Sequence, residues 1–143
     1  STLYNTISGK KIAFFGWAFK KDTNDTRESA AIYVADDLIN EQASISVFDP
    51  KVSHKQILFD LNYLETRTED QNAKYIVSND NAYDACKEAH AIAILTEWDE
   101  FKEYDWQKIY DSMLKPAFVF DGRNVLDAEK LRKIGFEYQG IGS

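Results

Sequence analysis

Between Phe15 and Ser29 the chain carries Gly16 and then Phe19, Lys20 and Lys21, and after a later apolar run it carries Asp121, Gly122 and Arg123. These are residues for holding an anion. Two ammonium groups beside the partly positive start of a helix suit a phosphate-bearing ligand. Arg123 adds a forked set of donors for phosphate or for a sugar-base ligand, and Gly122 permits the tight turn that presents it. The first turn departs from a dinucleotide fingerprint. Where Gly-x-Gly-x-x-Gly is expected the chain has Gly16, Ala18 and Lys21, so a pyrophosphate cannot approach the backbone closely and side chains must do the holding. The bland readings are a solubilising lysine pair for the first turn and, for Arg123, a surface arginine paired with Asp121 or Asp127.

No catalytic machinery stands beside these cations. Cys86 lies in a helical pattern at 84–89 with no glycine turn or base to activate it, which makes it a packing residue. His54 and His90 lack metal-ligand spacing, and the chain has no zinc motif, nucleophile elbow or P-loop. Two further loops follow apolar runs. Asp49, Pro50 and Lys51 place an acid where dinucleotide folds bind a ribose, but Asp49 reads better as the organiser of the turn before a helix at 56–61. The second is Thr96, Glu97, Trp98 and Asp99, in which Thr96 suits a helix cap and Trp98 a ring stack, and both suit plain packing.

These loops need a scaffold that collects them. Apolar runs recur at 11–15, 44–48, 75–77, 91–95 and 117–120, with a weaker one at 136–139, and helical patterns alternate with them. The runs are continuous rather than alternating, as in strands covered on both faces, so the expected fold is α/β, a doubly wound, mainly parallel Rossmann-like sheet with helices on both faces. In such sheets ligands bind outside the carboxyl ends of the strands, where all four loops fall. After the first strand, Asp25 is the expected helix cap with Glu28 three residues on, and Ala31, Val34, Ala35 and Leu38 share the apolar face. The polar stretch 65–74 reads as a mobile loop.

At 143 residues, 44% hydrophobic and 29% charged, the chain is expected to form one domain over residues 9–143, with 1–8 the end of a connector. A net charge of −7 argues against nucleic acid as a partner, and no apolar run approaches the roughly 20 residues of a membrane helix. One cysteine and the lack of a signal or lipidation motif point to a cytoplasmic setting. The first residue is Ser1, and the expectation is a piece excised from a longer protein.

Taken together, FFGWAFKKDTNDTRES at 14–29, VFDPKV at 47–52, DNAYDACKEAHAIAILTEWDEF at 80–101 and LKPAFVFDGRNVLD at 114–127 resemble the carboxy-terminal UDP-binding domain of the UDP-glucose 6-dehydrogenases, most closely the eukaryotic members. The resemblance covers nearly the whole chain. It implies an enzyme that converts UDP-glucose to UDP-glucuronate in two NAD-dependent oxidations, through a thiohemiacetal and a thioester on a cysteine. NAD and that cysteine would belong mainly to parts absent here, so the chain alone is expected to be inactive, and Cys86 does not match the nucleophile. Carried over by motif, Phe19, Lys20 and Arg123 would contact the UDP-sugar, and Arg27 would reach the NAD side of an interdomain cleft. Asn124 stands where some relatives have a second basic residue. The resemblance also implies the enzyme's remaining domains and a homo-oligomer as partners. A non-catalytic nucleotide-binding module is the alternative, whereas a signalling receiver domain would need clustered acids where this chain has Gly16.

Overall fold

Six parallel strands form one sheet in the computed structural model of the protein, which describes residues 7–140. They are β1 (Lys11–Phe15), β2 (Ser44–Phe48), β3 (Ile76–Ser78), β4 (Ala91–Ile94), β5 (Phe118–Asp121) and β6 (Glu137–Gly140). Between them lie α1 (Ala30–Asn40), α2 (His54–Tyr63), α3 (Glu69–Tyr75), α4 (Ala82–Cys86), α5 (Trp106–Ser112) and α6 (Ala128–Ile134), with a 3₁₀ turn at Asp99–Glu103. The strand order β3-β2-β1-β4-β5-β6 reverses direction between β1 and β4. A reversal of this kind marks, at the carboxyl ends of the two central strands, the place where open α/β sheets generally bind their ligands.

Burial explains why the apolar runs are continuous. Every residue of β4 and all but the first of β1 and β2 are buried, so neither face of the sheet centre meets water, whereas edge strand β6 alternates exposed and half-buried. Registers are direct, with Phe15 opposite Phe48 on one side and Ile94 on the other. A cluster of Phe15, Phe101, Tyr104 and Trp106, with ring centroids 5.3 to 6.4 Å apart, fastens the 3₁₀ turn and α5 beneath the sheet centre. No helix among the described residues is long and apolar enough to cross a membrane.

Several local expectations shift. The strands expected at 75–77, 117–120 and 136–139 each begin and end one residue later, because Tyr75 closes α3 and Ala117 and Phe136 are buried just before their ladders start. Helix α1 begins at Ala30, capped by Ser29, whose Oγ accepts the Ala31 amide at 3.2 Å. Asp25 is no cap. Its carboxylate instead turns back on Arg27, its carbonyl accepts the Phe19 amide, and Glu28 has a left-handed φ of 60° that a helix cannot contain. Val34 and Leu38 are half-buried against the core while Ile32 and Ile39 join Ala31 and Ala35 in full burial.

The stretch 65–74 is largely helix α3, not a loop. Thr68 and Gln71 form a reciprocal capping box at its start, and Arg67 pairs with Asp36 at 2.5 Å and donates to Asn72 and Asn40. Residues 1–6 of the expected connector lie outside the described residues, and Ile7 is buried in the core.

Candidate functional site

Gly16 decides how β1 leaves the sheet. Its φ is +100°, its amide donates to the Phe48 carbonyl at 2.8 Å, and a Cβ there would lie 2.4 Å from Cβ and Oγ1 of Thr96. Only glycine admits so close an approach of the β1 and β4 exits. The chain then runs out from 17 to 28 before Ser29 closes the excursion, its hydroxyl donating to the Trp17 carbonyl at 2.7 Å.

Asp49 holds three of the loops together. Its Oδ2 accepts the amides of Trp17 and Ala18 at 2.7 and 2.9 Å and the indole N–H of Trp98 at 3.3 Å. Its Oδ1 accepts the amides of Lys51 and Val52 at 2.8 and 3.2 Å. The acid therefore organises the turn after β2, as the sequence favoured, and also the turns after β1 and β4. A ribose has no claim on a carboxylate so fully engaged. The same geometry tests the fit of a dinucleotide: the Trp17 and Ala18 amides, which would serve a pyrophosphate, already serve Asp49. This turn does not fit NAD.

Thr96 and Trp98 resolve as packing residues. The Thr96 hydroxyl is fully buried and donates to the Ala18 carbonyl at 2.8 Å, and Trp98 is buried on Asp49. Between them Glu97 turns outward. One carboxylate oxygen accepts the Lys21 amide at 2.8 Å, and the other pairs with the Arg123 guanidinium. Burial pushes the Glu97 carboxyl up, but the Lys21 amide and the nearby Arg123 charge outweigh it and leave it below the ordinary carboxylate value. No local pattern marks Glu97 for this role, since an acid in an acidic chain reads as solvated surface. Its place directly after a central strand is the one signal available.

The two cationic loops thus meet at one carboxylate. The alternative pairing of Arg123 with Asp121 or Asp127 is not made: Asp121 accepts only its backbone amide, at 3.2 Å, while its side chain goes to Glu97. Asp121 is buried, and its other oxygen accepts the Leu126 amide and the Tyr138 hydroxyl, both at 2.8 Å, which fixes the loop carrying Arg123. Lys21 turns its ammonium to Asp99 at 3.3 Å, and Lys20 is exposed beside exposed Phe19. Arg27 belongs to a different constellation. Its guanidinium is exposed and bound to Asp25 at 2.9 and 3.0 Å. That hydrogen bond, helped by the Lys20 charge, holds the Asp25 carboxyl down to about 2.

Cys86 ends α4 with no exposed surface, and burial pushes its thiol far above the ordinary value. Replacing it by Ala should lower stability by about 1 kcal/mol. A melting curve checks this: an unchanged melting temperature in Cys86→Ala would refute the packing role.

Comparison with known proteins matches residues 13–128 to the UDP binding domain of the UDP-glucose/GDP-mannose dehydrogenase family. The chain is 49% identical over 143 residues to UDP-glucose 6-dehydrogenase of Bos taurus, with 99% of the chain and 29% of the relative covered. It is 53% identical over 152 residues to UDP-glucose 6-dehydrogenase 3 of Oryza sativa subsp. japonica, covering 99% and 32%. Among solved structures, NDP-N-acetyl-D-galactosaminuronic acid dehydrogenase of Methanosarcina mazei Go1 superposes with a TM-score of 0.76 at 26% identity, over 98% of this chain and 26% of that one. UDP-D-ManNAc dehydrogenase of Pyrococcus horikoshii follows at 0.71 and 27%, over 98% and 28%. The chain thus spans about a third or less of the length of these relatives. With its matched region running from β1 through the Arg123 loop to the start of α6, the chain belongs to the UDP-glucose/GDP-mannose dehydrogenase family, of which it carries the UDP binding domain.

Proposed function

We propose that the chain is the UDP-sugar-binding part of an NAD-dependent UDP-glucose 6-dehydrogenase, with residues 1–8 ending a connector and 9–143 forming the domain. Phe19, Lys20 and Arg123 contact UDP-glucose, and Arg27 faces the side of the cleft where NAD is held, mainly by the amino-terminal domain. The enzyme works in the cytoplasm as a homo-oligomer. One observation carries the reading: the region matched to the family includes both cationic loops, and the fold brings these loops to one carboxylate beside the strand-order reversal. Roughly half-identical relatives that are UDP-glucose 6-dehydrogenases support UDP-glucose as the sugar nucleotide.

Within that reading, this chain's residues bind and orient rather than react. Arg123, held by Glu97 through one arm of its fork, keeps further N–H groups for diphosphate or ribose oxygens. Lys20 supplies a mobile point charge, and Phe19 offers an apolar face next to it. NAD, when bound, supplies the hydride acceptor.

Oxidising a primary alcohol to a carboxylate removes four electrons, that is, two hydrides. The intact enzyme supplied with UDP-glucose and NAD should therefore yield two NADH for each UDP-glucuronate formed. Chromatography of the nucleotide sugar beside NADH absorbance measures the ratio. No UDP-glucuronate, or one NADH per product, would overturn the assignment.

A further inference from the structure

We propose that Glu97 is a positioning residue of the nucleotide-sugar site, setting the two cationic loops in register before the ligand arrives; this presupposes that Lys20 and Arg123 bind the UDP-sugar. The backbone at Glu97 is held on both sides. Thr96 before it is anchored to the Ala18 carbonyl at 2.8 Å, and Trp98 after it to Asp49 at 3.3 Å, both buried. From that fixed base the carboxylate reaches two loops at once, taking the Lys21 amide at 2.8 Å and the Arg123 guanidinium. The residues it joins lie 76 and 26 positions away in the chain.

A carboxylate facing an anionic ligand would repel it, and Glu97 avoids this by spending both oxygens on protein donors. Its negative charge is offset by Arg123, so that the exposed Lys20 and the remaining guanidinium N–H groups are left as positive charge for an anionic ligand. Asp99 in turn engages the Lys21 ammonium at 3.3 Å and Lys102 at 3.7 Å, so that Lys21 is held by both its amide and its ammonium. Lys20 is then presented by a loop whose next residue is clamped. Without Glu97 the Arg123 side chain and the 19–21 turn would have to be ordered by the ligand itself, which costs affinity rather than chemistry.

Calorimetric titration of the intact enzyme with UDP-glucose tests this through E97A, E97Q, R123A and the E97A/R123A double variant, each with its melting temperature. E97A should bind roughly threefold to tenfold more weakly. E97Q, which keeps one acceptor oxygen, should fall between E97A and the parent. In the R123A background E97A should cost clearly less than it does alone, because part of its effect runs through Arg123. Parent affinity in a folded E97A, with R123A weakened, would refute the positioning role and leave the binding site standing. Full additivity in the double variant would refute it as well. Parent affinity in both R123A and K20A would instead overturn the site assignment and this inference with it. Should E97A not fold, E97Q decides, and parent affinity there is the refuting result.

Discussion

Purified alone and supplied with UDP-glucose and NAD, the chain should produce no NADH at all. Two structural facts carry this expectation. Its one thiol, Cys86, is wholly buried at the end of α4, and burial pushes the thiol far above its ordinary value, so no thiolate is available to attack an oxidised sugar. The first strand-to-helix turn, where a Rossmann domain would cradle NAD, has its Trp17 and Ala18 amides occupied by Asp49, and Thr96 fills the space above Gly16. Binding groups without a nucleophile or a place to hold the hydride acceptor give no turnover, because orientation lowers a barrier only for reactants that are held together. The assay is NADH absorbance with the intact enzyme as positive control and boiled chain as blank. A sustained rate from the highly purified chain would place catalytic groups inside it and overturn the division of labour.

The fold was legible in the sequence wherever burial alone determines it. Strands β1, β2 and β4 are enclosed on both faces, so their apolar runs had no competing explanation, and their boundaries were read to within a residue. Where polar groups build local structure, the sequence is ambiguous. The pair Asp25 and Glu28 has the spacing of a capping box, yet the Asp25 carboxylate is drawn to Arg27 and its carbonyl to Phe19, and the helix waits for Ser29. Thr68 and Gln71 are the mirror case, a true capping box in a stretch whose polarity suggests a loop. The cationic residues of the site were visible as types after strands. The acids that hold them were not: Asp49 reaches back 31 and 32 residues to the first turn, and Glu97 reaches 76, and no local pattern encodes hydrogen bonds of that span.

Lys20→Ala and Arg123→Ala should each weaken UDP-glucose binding to the intact enzyme by about tenfold to a hundredfold. Hydrogen bonds to charged groups contribute roughly 1.5 to 3 kcal/mol, and 1.4 kcal/mol corresponds to a factor of ten. The two losses should differ in size. Lys20 is exposed, so its removal deletes one flexible point charge and should fall near tenfold. Removing Arg123 deletes a fork of donors and also strips Glu97 of its counter-charge, leaving an uncompensated carboxylate beside the incoming diphosphate. That variant should fall nearer a hundredfold. Lys130, exposed in the first turn of α6, is the control, and Lys130→Ala should bind as the parent does. Calorimetric titration with UDP-glucose, at one ionic strength because exposed charges are screened by salt, gives the comparison. Unchanged affinity in both folded variants would return Lys20 and Arg123 to the class of ordinary surface charges. A loss in Lys130→Ala equal to theirs would point to a diffuse field rather than a built site.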